Sequence, residues 1–281
     1  MKEALLSIIK DESRIITDQI DPQYLSDNLG RKKGTAEAVV FPVSTEEISG
    51  VMRYAWRNNL PVTPRGAGTN LVGSTVPSGH GIVLDVSLMN HVLELDEETF
   101  TATVEPGVVL EDFQAYVESK GLFYPPDPGE KKATIGGNIS TNAGGMLVKG
   151  VEAVSEQEPL DIVVPINQID AFVNFVNAFE KECGMRMISF GHAGDGNVHL
   201  CVVRGDRDDE TWEKELDANL TVLYDKAYAL GGLASGEHGI GLSKQKYLLK
   251  ASKPENIALM KRVKAAFDEK NILNAGISYN V

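Results

Sequence analysis

Apolar positions along this chain follow first one period and then another, and the changes mark out its elements. Met1 to Lys10 reads as a short amphipathic helix. Ala38-Val-Val-Phe41 is a strand stopped by Pro42, and Ser44-Thr-Glu-Glu47 carries a capping-box signature. Ile48, Val51, Met52 and Ala55 then form one helical face that runs up to Asn59. Residues 60–64 are extended, 81–85, 91–95 and 101–104 are strands, and 110–120 is a helix stopped by Gly121. Further on, 160–164, 185–189 and 198–203 read as strands. Three helical stripes accompany them: Ile169, Phe172, Val173, Val176 and Phe179; Trp212, Leu216, Leu220, Leu223 and Ala227; and Ile257, Met260, Val263 and Phe267. All three stripes are expected to be core, giving strands covered by helices on one side, a compact α+β unit.

Composition narrows the class. With 281 residues and 42% hydrophobic content, the chain has room for one large or two ordinary domains. A net charge of −13 argues against nucleic acid and against a basic membrane-binding face. It leaves room for a small anionic substrate, since a metal and local arginines can reverse the field inside one cleft. Cys183 and Cys201 make no C-x-x-C pair, which fits a reducing compartment. The first helix lacks the apolar core of a signal peptide, and no apolar run approaches the roughly 18 residues of a spanning helix. The expectation is a cytoplasmic protein.

Candidate chemistry sits in four Gly-rich tracts. Pro64-Arg-Gly-Ala-Gly-Thr-Asn-Leu-Val-Gly73 can bring backbone N–H groups close to an anion, with Thr69 and Asn70 as further donors and Arg65 as a positive charge. A second tract of small residues and hydroxyls runs from Ala133 to Gly145. In Phe190-Gly-His-Ala-Gly-Asp-Gly-Asn-Val-His199, the turn residues Gly194, Asp195 and Gly196 predict a hairpin with His192 facing His199, their Cβ atoms roughly 4.5–5.5 Å apart. Both imidazoles could then reach one cation at about 2.0–2.1 Å. Glu237, in Ser235-Gly-Glu-His-Gly-Ile-Gly241, is the natural third ligand, and His238 beside it is left to act as a base. Two nitrogens and a carboxylate suit zinc or manganese better than magnesium or calcium.

These tracts, in this order, carry a resemblance. Pro61 to Gly73, the P-D-P of Pro126 to Pro128, and Thr134 to Gly145 resemble the FAD-binding half of FAD-linked oxidases of the vanillyl-alcohol-oxidase and p-cresol-methylhydroxylase type. Gly191 to His199 and Ser235 to Gly241 resemble their D-2-hydroxyacid dehydrogenase branch, which includes glycolate oxidase and D-lactate dehydrogenase. The resemblance implies that Pro64, Arg65, Gly66, Ala67, Gly68, Thr69, Asn70 and Gly73 wrap the FAD diphosphate. Pro126, Asp127, Thr134, Gly136, Gly137, Asn138 and Asn142 would line the rest of the groove, with Asn274 near the flavin ring. Ala275 and Ile277 stand where the family usually has Pro and Lys. Ala67, with no His in the first loop, implies non-covalent FAD. His192, His199 and Glu237 fall on the family's divalent-metal ligands and His238 on its catalytic base. The implied activity is oxidation of a small anionic D-2-hydroxy acid to the 2-oxo acid, with hydride passing to the flavin. The electron acceptor is left open among a flavoprotein, a quinone and oxygen.

One departure is large. In the family, the N-A-G-G run is followed by the rest of the FAD domain and the start of a cap domain, whereas here Gly145-Met146 leads almost directly to a late cap-domain strand. The expected fold is α+β. Residues 1–146 form a truncated FAD-binding domain, and 147–281 form part of a ferredoxin-like cap with an antiparallel sheet and a C-terminal helical segment. Unpaired strand edges and an uncovered apolar face should result; either something else covers them, such as a second chain in a homo-oligomer, or the product is marginal. The alternative reading is a catalytically incompetent remnant that binds metal or depends on a partner.

Overall fold

The structure is a computed structural model and describes residues 1–143, 156–192 and 194–277. Its first part is a βαβ arrangement behind a helical lead-in: α1 (Lys2–Ile9), β1 (Ile15–Ile16), β2 (Ala38–Val40), α2 (Thr45–Asn58), β3 (Val62–Arg65) and β4 (Ile82–Asp85). The sheet runs β1-β2-β4-β3, with β4 parallel to both β2 and β3 and β1 antiparallel at the edge. Every residue of β2 and β4 is buried, as expected of strands covered on both faces. The helix α2 starts where the capping signature places it, the Ser44 hydroxyl accepting the Glu47 N–H at 3.2 Å. The Glu47 carboxylate, however, accepts from the Val43 N–H and from Arg14, so it ties the helix start to the lead-in instead of closing the box. The first Gly-rich tract leaves the carboxyl end of β3, the usual place for a ligand in such sheets.

A hairpin of β5 (Val92–Asp96) and β6 (Thr101–Val104) follows, then α3 (Leu110–Glu118) and α4 (Ile135–Thr141). The helix α4 lies inside the second Gly-rich tract, capped by Thr134, whose hydroxyl accepts the Gly137 N–H at 3.2 Å. Gly144 to Met146, the expected junction, lie outside the described residues.

The second part contains β7 (Gln157–Val163), α5 (Ile169–Cys183), β8 (Met187–His192), β9 (Asn197–Val203), α6 (Asp209–Ala229), α7 (Gln245–Ala251) and α8 (Pro254–Phe267). Its sheet is antiparallel in the order β7-β9-β8. Phe172, Val176, Trp212, Leu216 and Leu223 pack α5 and α6 on Leu160, Ile162 and Leu200, so two of the three expected stripes are core. The third is not. No residue of α8 is buried: Ile257 is half-buried, Met260 and Val263 are exposed, and Phe267 is 91% exposed. An apolar stripe becomes core only if another layer lies against it, and the described residues supply none there.

Three contacts lock the second part onto the first. The chain after α8 runs beside β3, with the Val62 N–H donating to Ile272 and the Asn274 N–H to Val62. The Leu242 N–H donates to the Val72 carbonyl. Arg31 pairs with Glu158 and stacks on Trp212, its guanidinium carbon 5.2 Å from the ring centre.

Candidate active site

The two Gly-rich tracts meet through bare backbone. A Cβ on Gly66 would lie 2.4 Å from the Thr134 hydroxyl, and one on Gly136 2.8 Å from Pro106. Gly68 has φ +73 and sits directly over the Arg65 guanidinium, which a Cβ would strike at 1.9 Å. Arg65 itself is tucked into the wall, over the Tyr24 ring and 4.0 Å from Asp85. Burial pulls its pKa down, with Asp85 opposing, so its charge is partly spent inside the protein. The Asn70 side-chain oxygen accepts the Val72 and Ser74 N–H groups and shapes the loop itself.

A cavity of about 840 Å³ opens between these tracts and the second sheet. Pro64, Arg65, Gly66, Ala67, Gly68, Thr69, Asn70, Thr134, Gly136, Gly137, Asn138 and Asn274 line it, together with His199, Glu237 and His238. Four of the residues expected at the cofactor lie elsewhere. Gly73 packs in the left-handed region against Lys32 and Leu242, and Asn142 is the left-handed C-cap of α4. Asp127 accepts from Gln114 and pairs with Lys131, and the Gln114 amide also donates to the Pro126 carbonyl. The next residues along, Pro128 and Gly129, reach the cavity in their place.

The expected hairpin exists in a different register. Strand pairing continues down to His192 and Asn197 before the chain turns, so Phe190, not His192, stands opposite His199. The Phe190 and His199 rings lie 5.3 Å apart. The side chain of His192 lies outside the described residues. What the fold gathers is His199 from β9 with Glu237 and His238 from the loop after α6, one possible ligand atom of each within 4.8 Å of the others. His199 Nε2 is 3.4 Å from Glu237 Oε1, and the two imidazoles stack with centres 5.3 Å apart.

Electrostatics prepare this cluster. The hydrogen bond from His199 holds the Glu237 carboxyl below its usual range, against the opposing effect of burial. Burial pushes the His238 imidazole down to about 4, so it is neutral at ordinary pH and able to take a proton or bind a cation. Its Nδ1 is buried without a hydrogen-bond partner among the described residues.

Sequence reasoning passed over two groups behind the cluster. Asp161 is fully buried, with Lys244 Nζ 3.4 Å from it. The available signal was a lone carboxylate inside the apolar run Leu160-Asp-Ile-Val-Val164, a strand buried on both faces.

The site has the size of a cofactor pocket. Its backbone-lined wall and the buried oxygen of Asn274, which has no hydrogen-bond partner among the described residues, leave donors and acceptors for a large polar group. Two imidazoles and a carboxylate suit a divalent cation of the transition series. Comparison with known families agrees on the cofactor. Residues 36–157 match the FAD binding domain, and residues 124–277 match the FAD linked oxidases, C-terminal domain. The chain belongs to the FAD-linked oxidases and is an FAD-dependent oxidoreductase. It is 24% identical over 444 residues to a D-lactate dehydrogenase of Anaerostipes hadrus, covering 93% of this chain and 94% of that one. It is 26% identical over 451 residues to the glycolate oxidase subunit GlcD of Bacillus subtilis (strain 168), covering 98% and 96%. The D-2-hydroxyglutarate dehydrogenase of Arabidopsis thaliana mitochondria matches at 33% over 160 residues, 53% of this chain and 28% of that one. Both longer alignments exceed the 281 residues of this chain, so those relatives carry residues with no counterpart here. The fold is that of p-cresol methylhydroxylase, with a TM-score of 0.66 at 12% identity over 99% of this chain and 96% of that one. The 4-ethylphenol oxidase of Gulosibacter chungangensis gives 0.69 at the same identity and coverage.

Proposed function

We propose that this protein oxidises a small D-2-hydroxy acid, of the glycolate or D-lactate class, to the 2-oxo acid. The observation that carries the reading is the convergence of His199, Glu237 and His238 on the same cavity as both Gly-rich tracts. The names of the relatives supply the substrate class. FAD, held without a covalent bond, supplies the two-electron redox chemistry when bound, and a zinc or manganese ion would supply Lewis acidity. His199 and Glu237 would hold that cation, with His192 as a further ligand. The backbone of Gly66, Gly68, Gly136 and Gly137 would hold the cofactor, and Asn274 would bind toward its reactive end. The substrate loses two electrons and two protons overall. His238 accepts the hydroxyl proton at Nε2, since Nδ1 is buried, and its depressed pKa keeps it neutral beforehand. The proposed boundary between the cofactor half and the substrate half falls near residue 146.

The test is anaerobic mixing of the FAD- and zinc-reconstituted protein with D-lactate, glycolate or L-lactate. Bleaching of the visible flavin band by a D-acid or glycolate, and not by L-lactate, is the expected result. A second reading has its own support in the exposed stripe of α8: a remnant that holds metal without turning over. A protein that takes up zinc but neither binds FAD nor bleaches it would establish that reading instead.

A further inference from the structure

The buried carboxylate of Asp161 touches both arms of the cluster. Its Oδ2 accepts the Ser235 hydroxyl at 2.7 Å and the N–H groups of Gly236, Glu237 and His238 at 2.8, 2.9 and 2.8 Å. Lys244 Nζ, itself only 3% exposed, lies 3.4 Å from the same oxygen and 3.3 Å from the Ser235 hydroxyl. Ser235 to His238 therefore wrap around one oxygen, and a Cβ on Gly236 would come within 2.9 Å of the other. That other oxygen, Oδ1, is buried and has no hydrogen-bond partner among the described residues. It faces His199, which is directly opposite Asp161 in the β7–β9 ladder, with Nδ1 3.8 Å away.

An unpartnered carboxylate oxygen inside a protein is costly, and a strand that keeps one there is expected to use it. Histidines that bind metal through one nitrogen commonly hand the N–H of the other to a carboxylate, which fixes the ring and raises its basicity. His199 already points Nε2 at Glu237 and Nδ1 at Asp161.

We propose that Asp161 is the positioning residue of this site: Oδ2 gathers the loop that carries Glu237 and His238, and Oδ1 takes the His199 Nδ1–H when a cation is bound at Nε2. Lys244 is its counter-charge, 3.4 Å from Oδ2, and does not line the cavity. The inference rests on the reading that His199 and Glu237 hold a divalent cation.

The test uses the full chain and Zn²⁺ alone, with affinity measured by competition against a chromophoric chelator. Asp161→Asn keeps the shape and removes the charge, and it is expected to weaken Zn²⁺ binding by about 10–100-fold while far-UV dichroism is unchanged. Equal affinity in wild type and variant overturns the role of Asp161 and leaves the metal reading standing. A wild-type protein that binds no Zn²⁺ overturns the metal reading, and this inference with it. If Asp161→Asn does not fold, histidine ring ¹⁵N spectra of the zinc-loaded wild type decide. The expected signature is His199 bound through Nε2 with a protonated, exchange-protected Nδ1, whereas coordination through Nδ1 overturns the proposal.

Discussion

At the scale of single residues, the cluster separates two jobs that the sequence distributes over neighbours. His238 could bind the cation or serve as the base, since its ring lies among the candidate ligands. The base role predicts that His238→Ala keeps its bound zinc and flavin and loses turnover by about 10²–10⁴-fold, measured as rate and metal content on one preparation. Loss of the metal would make it a ligand instead. Its depressed pKa also has a consequence for stability. Between the ordinary value of 6.5 and about 4, the unfolded imidazole is protonated while the folded one stays neutral. The unfolded chain then binds more protons, so the metal-free protein should lose stability as pH falls through that window. Urea midpoints across it should drop less steeply for His238→Gln than for wild type. That His238 lies in this cluster was readable from its place beside Glu237. Its burial was not, because burial here depends on β7 and β9 lying beneath the loop.

At the scale of elements, the cofactor wall depends on glycines that accept close neighbours. Gly66→Val would drive its Cβ into the Thr134 hydroxyl, parting the first loop from the start of α4. Its flavin absorption per protein should fall sharply with a thermal midpoint close to wild type. One of the links between the two parts is Arg31, wedged among Glu156, Glu158 and Trp212. Arg31→Ala would leave Glu158, whose pKa burial already raises, without its hydrogen-bonded cation and with only the weaker attraction of Lys32. We expect a loss of about 3 kcal/mol in urea unfolding, near the lower end for a broken buried pair. The Gly-rich tracts were legible because their residue types are restricted by close backbone approach. Arg31, in a run of Gly, Arg and Lys, was indistinguishable from a solvated charge until its distant partners were in place.

At the scale of the whole molecule, the stripe on α8 is the largest disagreement between pattern and packing. Its periodicity is that of a core helix, yet Val263 and Phe267 are exposed and no side chain of the helix is buried. The hairpin of β5 and β6 stands as a two-stranded sheet, with Leu93 and Phe100 also exposed. Both observations fit a chain that lacks residues present in its longer relatives. Exposed apolar area of this kind drives association. Sedimentation velocity of the wild type should show concentration-dependent self-association, and Val263→Glu with Phe267→Glu should shift it toward monomer. A wild type that stays monomeric at every concentration would refute this.

The sequence by itself determined most of the strands and helices, though not β1, α4 or α7, where the Gly-rich loops lie, and the tracts that mark an FAD-linked oxidase. Those properties are local: period, capping and close backbone approach are set by residues a few positions apart. Only the tertiary structure decided the register that puts Phe190 opposite His199, the burial of Asp161 behind both arms of the cluster, and the exposure of α8. Each depends on which distant segment arrives alongside, and an apolar stripe or a charged side chain looks the same along the chain whether or not that segment comes.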